Sequence, residues 1–412
     1  MRILVVSGFW PTVSNPVLGI FVVQQVKALC DAGAEVSLIA SRYILKRDRH
    51  LTPEELGLPT TVRFRSVAVC RLPEALSTTR PALWFNTLVT GIAAAATAER
   101  LFPRGEPIDG CIVHSIRYLG VAIPRWAGER NIKTLLVIHG RDSFLSRPTV
   151  RNWLRSRIPT LNSALHRWVL VGTVLRKDME ELGADPRRTA VVANGTEIPP
   201  VEMPPVGKDG DPLIIVSVSN LIDLKGIDDN LRALQLLRDR HGIGSWRYDI
   251  VGSGPERPRL EQLAASLGLG GQVRVLGRLP YQEAMGAVAA ADIFSLPSWG
   301  EAFGIVYLEA MARFKPTIGC LRNGAADIIT DGEDGLLVPP KDPEALAQAL
   351  KRLVEEAGLR AEIGRRARLT AERFSWDINA VRILELLRLA REEVIDNGKS
   401  NEPVHDGDGI DH

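Results

Sequence analysis

The chain has 412 residues, 45% of them apolar and 24% charged, which is ordinary for a globular protein and too long for one ordinary domain. The net charge of +2 combines a basic and an acidic half. Residues 1–200 hold 26 Lys and Arg and 16 Asp and Glu (+10), which leaves 25 and 33 (−8) for the rest. The four cysteines are scattered, which argues against a zinc site or a disulfide framework and fits a reducing cytoplasm.

The first half of the chain has the pattern of a parallel α/β unit. Residues 2–7 form an apolar run typical of a buried strand, a Pro- and Gly-containing loop follows, and a helical pattern begins at Phe21. The apolar run ends too early, at Trp10-Pro11, for a signal peptide. This strand–loop–helix–strand unit predicts a parallel sheet. Its further strands are predicted at 35–40, 110–113, 134–138, 168–171 and 189–192.

The segment 81–98 contains no charged residue. It includes Asn and Thr residues and becomes Ala-rich at its end, whereas a membrane span needs about 20 strongly apolar residues. We therefore predict a buried helix here. Contact of this helix with a membrane interface is the alternative.

A linker rich in Pro and Gly, at 199–212, separates this unit from a second one. Beyond it, strand and helix patterns alternate again, which predicts another doubly wound sheet. The predicted strands are 213–218, 248–251, 273–276, 293–296 and 317–320, and the predicted helices are 226–239, 255–267, 281–290 and 304–314.

The predicted architecture is α/β, with two doubly wound, Rossmann-like domains facing each other across a cleft at the carboxyl ends of both sheets. The first domain is assigned to residues 1–200 and the second to 201–375. An amphipathic helix at 376–396 is expected to pack back on the first domain. The polar tail, 397–412, is expected to be disordered.

The segment 297–312 carries the strongest candidate chemistry, because it follows a predicted strand and opens a helix. Gly300 and Gly304 allow the backbone to approach a ligand, and the free N–H groups at the helix start suit a phosphate. Glu301 precedes the helix and Glu309 lies in it, so both can reach one ligand from different sides. Carboxylates accept hydrogen bonds from ribose or sugar hydroxyls. The structural alternative is a helix-terminal Glu and an unrelated surface Glu.

The spacing of Glu301 and Glu309 resembles the E-x7-E motif of the retaining glycosyltransferases of family 4, which have the GT-B fold. The resemblance extends over almost the whole chain, through short motifs in the family's order. In the first half, the segment 16–26 looks like members that build capsule, exopolysaccharide or teichuronic-type polymers. The motifs of the second half are Lys225-Gly226, VGSGP at 251–255, VLGR at 275–278, the segment 328–339 and FSW at 374–376.

The resemblance implies roles for the candidate residues of the second domain. Glu309 would bind the ribose hydroxyls and Glu301 the donor sugar, while Lys225 would neutralise the leaving diphosphate. Gly252 would belong to the donor site, and the loop around Arg278 would pack on the base. Backbone amides would hold sugar hydroxyls and phosphate at Phe303, Gly304, Ile305 and Val306.

Two positions depart from the family pattern. The family usually has an Arg five residues before the Lys, where this chain has Asn220, which donates a hydrogen bond but carries no charge. Asn220 is kept in the donor site, and weaker stabilisation of the leaving group is expected. Gly19 resembles the glycine loop that lies against the phosphate, but Leu18 replaces the first glycine of the usual pair.

Two histidines follow predicted strands of the first domain. His139-Gly140 resembles the family's strand-end His-Gly and is followed by Asp142. The resemblance assigns His139 to contact with the donor sugar and to the catalytic residues, together with Glu301 and Lys225. His114 has a similar placement and is assigned to the acceptor side. A purely structural histidine is the alternative for each.

The expected reaction needs neither a metal nor a cofactor, because no Asp-x-Asp motif lies at a strand end. The resemblance implies a nucleotide-diphosphate-sugar donor and retention of configuration. Since no carboxylate nucleophile is evident, a same-face mechanism is expected. The basic first domain suggests a glycan or polyprenyl-linked acceptor at the inner face of the cytoplasmic membrane, with peripheral contact to anionic lipid.

Several rival functions share parts of these patterns. A nicotinamide dehydrogenase needs G-x-G-x-x-G after a strand, and the segment beginning Gly252-Ser-Gly254 lacks the third glycine. A sugar-nucleotide 2-epimerase shares the two-domain architecture, and a non-catalytic partner subunit would fit the change at Asn220. Nucleic-acid binding is not expected, because the basic half lacks interleaved aromatic residues.

Overall fold

The computed structural model describes residues 1–43, 48–69, 80–114, 121–140, 148–200 and 212–399. The predictions for Asp142, for most of the linker and for the tail from residue 400 lie outside them. The described chain forms two parallel sheets with flanking helices, as predicted. The strands are β1 Arg2–Ser7, β2 Glu35–Tyr43, β3 Arg63–Val69, β4 Gly110–His114, β5 Thr134–Ile138, β6 Arg167–Leu170, β7 Thr189–Val191, β8 Leu213–Val218, β9 Trp246–Val251, β10 Val273–Gly277, β11 Ile293–Ser295, β12 Thr317–Cys320 and β13 Leu336–Val338.

The helices follow the strands in the alternation that parallel pairing requires. Short 3₁₀ turns lie at Asp223–Lys225 and Gly324–Asp327, among other places. The α-helices are α1 Ile20–Asp31, α2 Arg80–Leu101, α3 Ala122–Gly128, α4 Pro148–Arg155, α5 Ile158–Ala164, α6 Val174–Leu182, α7 Ile227–His241, α8 Arg257–Ser266, α9 Tyr281–Ala290, α10 Ile305–Met311, α11 Pro343–Glu355, α12 Ala357–Glu372 and α13 Trp376–Lys399.

Each sheet reverses its strand order once. The first has the order β3-β2-β1-β4-β5-β6-β7 and reverses between β1 and β4, and the second has the order β10-β9-β8-β11-β12-β13 and reverses between β8 and β11. Strands β4 and β5 are buried along their whole length, as expected when helices cover both faces. Open sheets of this type bind ligands at the carboxyl ends of the strands beside the reversal. A ligand site is therefore expected at the loops after β1, β4, β8 and β11.

The last helix, α13, connects the end of the chain to the first domain. Asn379 donates a hydrogen bond from Nδ2 to the carbonyl oxygen of Ala193 (2.7 Å) and accepts one from Nε2 of Gln25 (2.8 Å). Both contacts join α13 to residues of the first half of the chain. The helix runs to Lys399, three residues beyond the predicted end at 396.

Helix α2 corrects the prediction of a buried helix at 81–98. Only one of its faces is buried, and it carries Ala82, Asn86, Thr87, Thr90, Ala94 and Ala98. The opposite face exposes large apolar side chains, namely Trp84, Phe85, Leu88 and Ile92. Within the described residues, no helix is both long and apolar enough to cross a membrane.

Candidate active site

The centre of the candidate site is a close approach of two backbone segments beside the reversal of the second sheet. The turn Asp223–Lys225 comes after β8 and ends at Gly226, whose φ of +64° favours glycine. A Cβ at Gly226 would lie 2.3 Å from the carbonyl oxygen of Pro297, in the segment after β11. The carbonyl oxygen of Leu224 accepts hydrogen bonds from Trp299 N–H and from Ser298 Oγ, both at 3.0 Å.

This approach brings together two predicted catalytic side chains. Lys225 Nζ lies 2.6 Å from Glu301 Oε2, and each side chain is 17% exposed. A charge-assisted hydrogen bond with limited solvent access fixes the position of both groups more firmly than a surface pair would. The pair therefore presents one oriented cation and one oriented carboxylate at the reversal between β8 and β11.

The segment after Glu301 packs tightly before α10 begins. Phe303 is buried, Ile305 and Val306 are half-buried, and Gly304 has a φ of +92°. Gly324 closes the segment from the other side, because its N–H donates to the carbonyl oxygen of Glu301 at 3.0 Å. A Cβ at Gly324 would lie 2.3 Å from the nitrogen of Phe303. Such packing keeps the backbone of residues 301–304 in one conformation.

Glu309 lies in the second turn of α10, the helix that follows the segment containing Glu301. It is half-buried in α10, and burial raises the pKa of its carboxyl above the usual range. The hydroxyl of Tyr281, at the first residue of α9, faces Glu309 and opposes this rise in pKa. Burial, followed by the nearby charge of Glu309, raises the pKa of Tyr281 in turn. Tyr281 therefore favours the ionised form of the carboxylate, an interaction that the sequence did not predict.

The remaining donor-site candidates of the second domain surround the ends of β8, β9 and β10. Gly252 has a φ of +143°, and a Cβ there would lie 1.8 Å from the carbonyl oxygen of Ser219, so only glycine fits. Asn220 is exposed immediately after Ser219. Arg278 is also exposed; its Nε donates to Ser253 Oγ at 3.2 Å, and a terminal nitrogen donates to Asn15 Oδ1 at 3.3 Å. The second contact reaches the first domain.

In the first domain, the loop after β1 lies against the start of α1. Gly19 caps α1 with a φ of +69°, and a Cβ there would lie 2.7 Å from the backbone of Phe9. Phe21 lies in the first turn of α1, and its ring centroid is 4.4 Å from the centroid of the His139 imidazole. The start of α1, which Gly19 caps, therefore contacts His139 through the ring of Phe21.

His139 also contacts His114. His114 Nδ1 lies 2.8 Å from His139 Nε2, and the two rings stack with centroids 5.1 Å apart. Burial lowers the pKa of His114 to about 3 and that of His139 well below its usual value, where the second imidazole adds to the effect. His114 is fully buried. Its side chain contacts His139 and has no exposed surface in this structure, and its assignment to the acceptor side stays a prediction.

A second contact between the domains lies beside the Glu301 segment. The carboxylate of Asp327 accepts hydrogen bonds from Thr173 N–H (2.6 Å) and from the Thr173 hydroxyl. A Cβ at the preceding Gly172 would lie 2.3 Å from the carbonyl oxygen of Ala302. The carboxyl end of β6 is thus held against the loop that contains Glu301. Neither Asp327 nor Thr173 belongs to a motif that could have identified this contact.

The described residues contain no group of three or more His, Cys, Asp and Glu side chains that could hold a metal ion. Three pairs of polar side chains are placed by the structure, Lys225 with Glu301, Arg278 with Asn15 and His114 with His139. Lys225 and Arg278 carry positive charge and can donate hydrogen bonds to an anionic ligand.

Comparison with known proteins identifies the class of protein to which this fold and site correspond. Residues 200–370 match the family described as glycosyl transferases group 1, and residues 18–195 match the glycosyl transferase 4-like domain. The chain belongs to this glycosyltransferase family, and its two parallel-sheet domains have the GT-B fold.

Particular relatives cover different parts of the chain. The D-inositol 3-phosphate glycosyltransferase of Corynebacterium glutamicum is 32% identical over 340 aligned positions, and the alignment covers 74% of this chain and 79% of that protein. The exopolysaccharide phosphotransferase SCO2592 of Streptomyces coelicolor is 38% identical over 48% of this chain and 20% of its own length. The matches to the first curated relatives span between 20% and 49% of those proteins.

Among solved structures, HepE from Anabaena in complex with UDP and glucose superimposes with a TM-score of 0.69 at 19% identity, covering 94% of this chain and 99% of that one. At this identity, the likeness shows the fold.

The buried histidine pair predicts a pH dependence of stability. Because both pKa values are lowered in the folded protein, the unfolded chain binds protons first as the pH falls below about 6.5, and the folded state loses stability. We expect the free energy of unfolding to fall by up to about 1.4 kcal/mol per pH unit for each imidazole. Urea denaturation of the wild type and of His114→Gln at several pH values between about 7.5 and about 5 measures the pH dependence of this free energy. A variant slope equal to that of the wild type would contradict the assignment.

Proposed function

We propose that this protein transfers a hexose-type sugar from a nucleotide-diphosphate-sugar to a hydroxyl of a glycan or polyprenyl-linked glycan, with retention of configuration. The observation that carries the proposal is the Lys225–Glu301 pair, held at 2.6 Å beside the reversal between β8 and β11. Such a pair offers a cation for a diphosphate and a carboxylate for sugar hydroxyls within one site.

The donor nucleotide is assigned to the side of Glu309. A half-buried carboxylate that faces the Tyr281 hydroxyl has acceptor capacity left for the two ribose hydroxyls. The exposed guanidinium of Arg278 lies at the end of β10, where it can pack on the base. The fold shared with HepE, which was solved with UDP and glucose, is consistent with such a donor.

The diphosphate is assigned to Lys225 and to the backbone N–H groups of the segment 303–306. Developing negative charge on the departing phosphate is stabilised by a cation already in position. Asn220 supplies a hydrogen bond and no charge, so Lys225 carries the larger share of this stabilisation. No divalent ion is required in this arrangement.

The proposed transfer takes place on one face of the sugar. The bond from the anomeric carbon to the diphosphate oxygen breaks, and the acceptor oxygen forms its bond from the same side. The acceptor proton passes to the departing phosphate oxygen. Glu301 and His139 orient the sugar through its hydroxyls, and neither acts as a nucleophile. His139 suits this task because its lowered pKa keeps it neutral, so that it can donate one hydrogen bond and accept another.

The acceptor and pathway are proposed from the chemistry and from relatives. The named relatives act in exopolysaccharide and inositol phosphate chemistry. The first 200 residues carry a net charge of +10, which favours an anionic, lipid-linked acceptor at the inner face of the cytoplasmic membrane. Assembly of a cell-surface polysaccharide fits the basic first domain and the exopolysaccharide relative.

Two alternatives make different predictions. A sugar-nucleotide 2-epimerase would consume the donor without any acceptor. A non-catalytic subunit, which the uncharged Asn220 would permit, would bind a donor and neither hydrolyse nor transfer it.

The first test is a thermal-shift screen with UDP-, GDP- and ADP-sugars. One nucleotide class should raise the melting temperature of the wild type, because a ligand that binds only the folded state stabilises it. Glu309→Ala should abolish this shift. The matched control is Glu283→Ala, an exposed Glu in the first turn of α9, which should keep it.

The outcome separates the proposals. A shift retained in Glu309→Ala would mean that the nucleotide lies elsewhere. With the donor identified, NMR of the product should show the anomeric configuration of the donor, and an inverted centre would overturn the same-face mechanism.

The interaction between Tyr281 and Glu309 predicts a pH dependence of donor binding. Glu309 must be ionised to accept hydrogen bonds from ribose, and its pKa is raised by burial, so affinity should fall as the pH drops through that raised pKa. Tyr281→Phe removes the hydroxyl that stabilises the carboxylate, which should move the fall to higher pH and weaken binding about 3- to 30-fold. Calorimetric titration with the nucleotide and with its 2′,3′-dideoxy analogue measures this. Equal losses for both ligands would show that Tyr281 does not act through ribose recognition.

A further inference from the structure

Helix α2 presents an apolar face to solvent. Trp84 is 51% exposed and Ile92 is 55% exposed, and Phe85 and Leu88 lie between them in sequence. At about 100° per residue, these four side chains fall within an arc of about 100°. A surface helix normally turns its large apolar residues inward, so this helix has the opposite arrangement.

The inward face explains how the helix can be packed in this way. Its side chains of described burial are small or polar, and the hydroxyl of Thr90 donates to the carbonyl oxygen of Asn86 at 2.7 Å within the helix. The four large side chains of the opposite face lie outside the core. A contiguous exposed apolar patch on a folded domain marks an interaction surface.

Arginines border the same patch. Trp84 and Leu88 line a groove of about 240 Å³ together with Trp153 and the side chains of Arg125 and Arg157. Arg125, on α3, is exposed, and Arg157 is half-buried. The groove thus combines aromatic and aliphatic surface with two cations, and no Asp or Glu is among the described residues that line it.

We propose that this face, defined as Trp84, Phe85, Leu88 and Ile92 with Arg125 and Arg157, docks on the surface of an anionic membrane. Charge complementarity selects this partner, because the basic groups adjoin the apolar ridge and the first 200 residues carry +10 overall. Trp and Phe favour the boundary between headgroups and acyl chains, and Arg favours lipid phosphates. The helix lies on the membrane and does not span it.

This docking surface goes beyond the proposed transfer reaction and does not depend on it. It would bring the site to the membrane that holds a lipid-linked acceptor. Donor binding uses other residues, so the two proposals can fail separately.

The test is co-sedimentation of the full chain with phosphatidylcholine vesicles, with and without phosphatidylglycerol. The wild type should bind the anionic vesicles more tightly. Trp84→Ser/Ile92→Ser should lower the partition coefficient about tenfold or more, since two large side chains lose their burial in lipid. Arg125→Gln/Arg157→Gln should lower binding to the vesicles that contain phosphatidylglycerol by about fivefold per charge removed. Binding to pure phosphatidylcholine vesicles should stay the same.

A matched control replaces equally exposed apolar residues of the other domain and the last helix. Leu369 is 63% exposed on α12 and Val381 is 50% exposed on α13, so Leu369→Ser/Val381→Ser should bind vesicles like the wild type. The nucleotide thermal shift should persist in Trp84→Ser/Ile92→Ser, which keeps a loss of docking distinct from a loss of the donor site.

Three results would overturn the docking proposal. The first is a wild type that stays in the supernatant with both kinds of vesicle, and the second is a control variant that loses binding as strongly as the α2 variant. Alternatively, sedimentation equilibrium could show a wild-type dimer that Trp84→Ser/Ile92→Ser converts to monomers, which would make a second copy of the chain the occupant of this face.

Discussion

The candidate site depends on the close approach of the turn after β8 to the segment after β11. Gly226 permits it, because any Cβ there would collide with the carbonyl oxygen of Pro297. The hydrogen bonds from Trp299 and Ser298 to Leu224 then hold the two segments together. Lys225 and Glu301 come from these two segments, so their 2.6 Å contact follows from the backbone geometry.

Several polar contacts join the two domains. Asn379 ties α13 to the first domain, Asp327 holds Thr173, and Arg278 reaches Asn15. The last two contacts lie at strand ends, on the side where both sheets carry their candidate residues. Changes at Asn379 or Asp327 would alter how the domains meet without removing a side chain assigned to the donor site, whereas Arg278 belongs to both.

Much of the fold could be predicted from the sequence because the buried strands are short apolar runs. Strands β4, β5 and β8 are examples, and the glycines at 226, 252 and 304 were recognisable by their motifs. Strand β3 was not predicted, since its burial is irregular and four of its seven residues are exposed. Helix α2 was interpreted as buried because an uncharged apolar segment normally is, and periodicity alone did not reveal which face is outside.

Individual residues of the candidate site could be predicted from the sequence, but the contacts between them could not. The resemblance to family 4 supplied Lys225, Glu301, Glu309 and His139, but it gave no pairing between them. Tyr281 was missed because a Tyr at the start of a helix is an ordinary residue until its hydroxyl is found to face Glu309. The stacking of His114 on His139 was missed because neighbouring strands bring together residues 25 apart in sequence.

The most direct test of this account is the turnover of Lys225→Ala at saturating donor, with Lys225→Arg as the comparison. If the cation held by Glu301 stabilises the leaving diphosphate, kcat should fall about 100-fold or more in Lys225→Ala, and Lys225→Arg should recover part of it. A kcat equal to that of the wild type in Lys225→Ala would contradict the assignment of this pair to the chemical step.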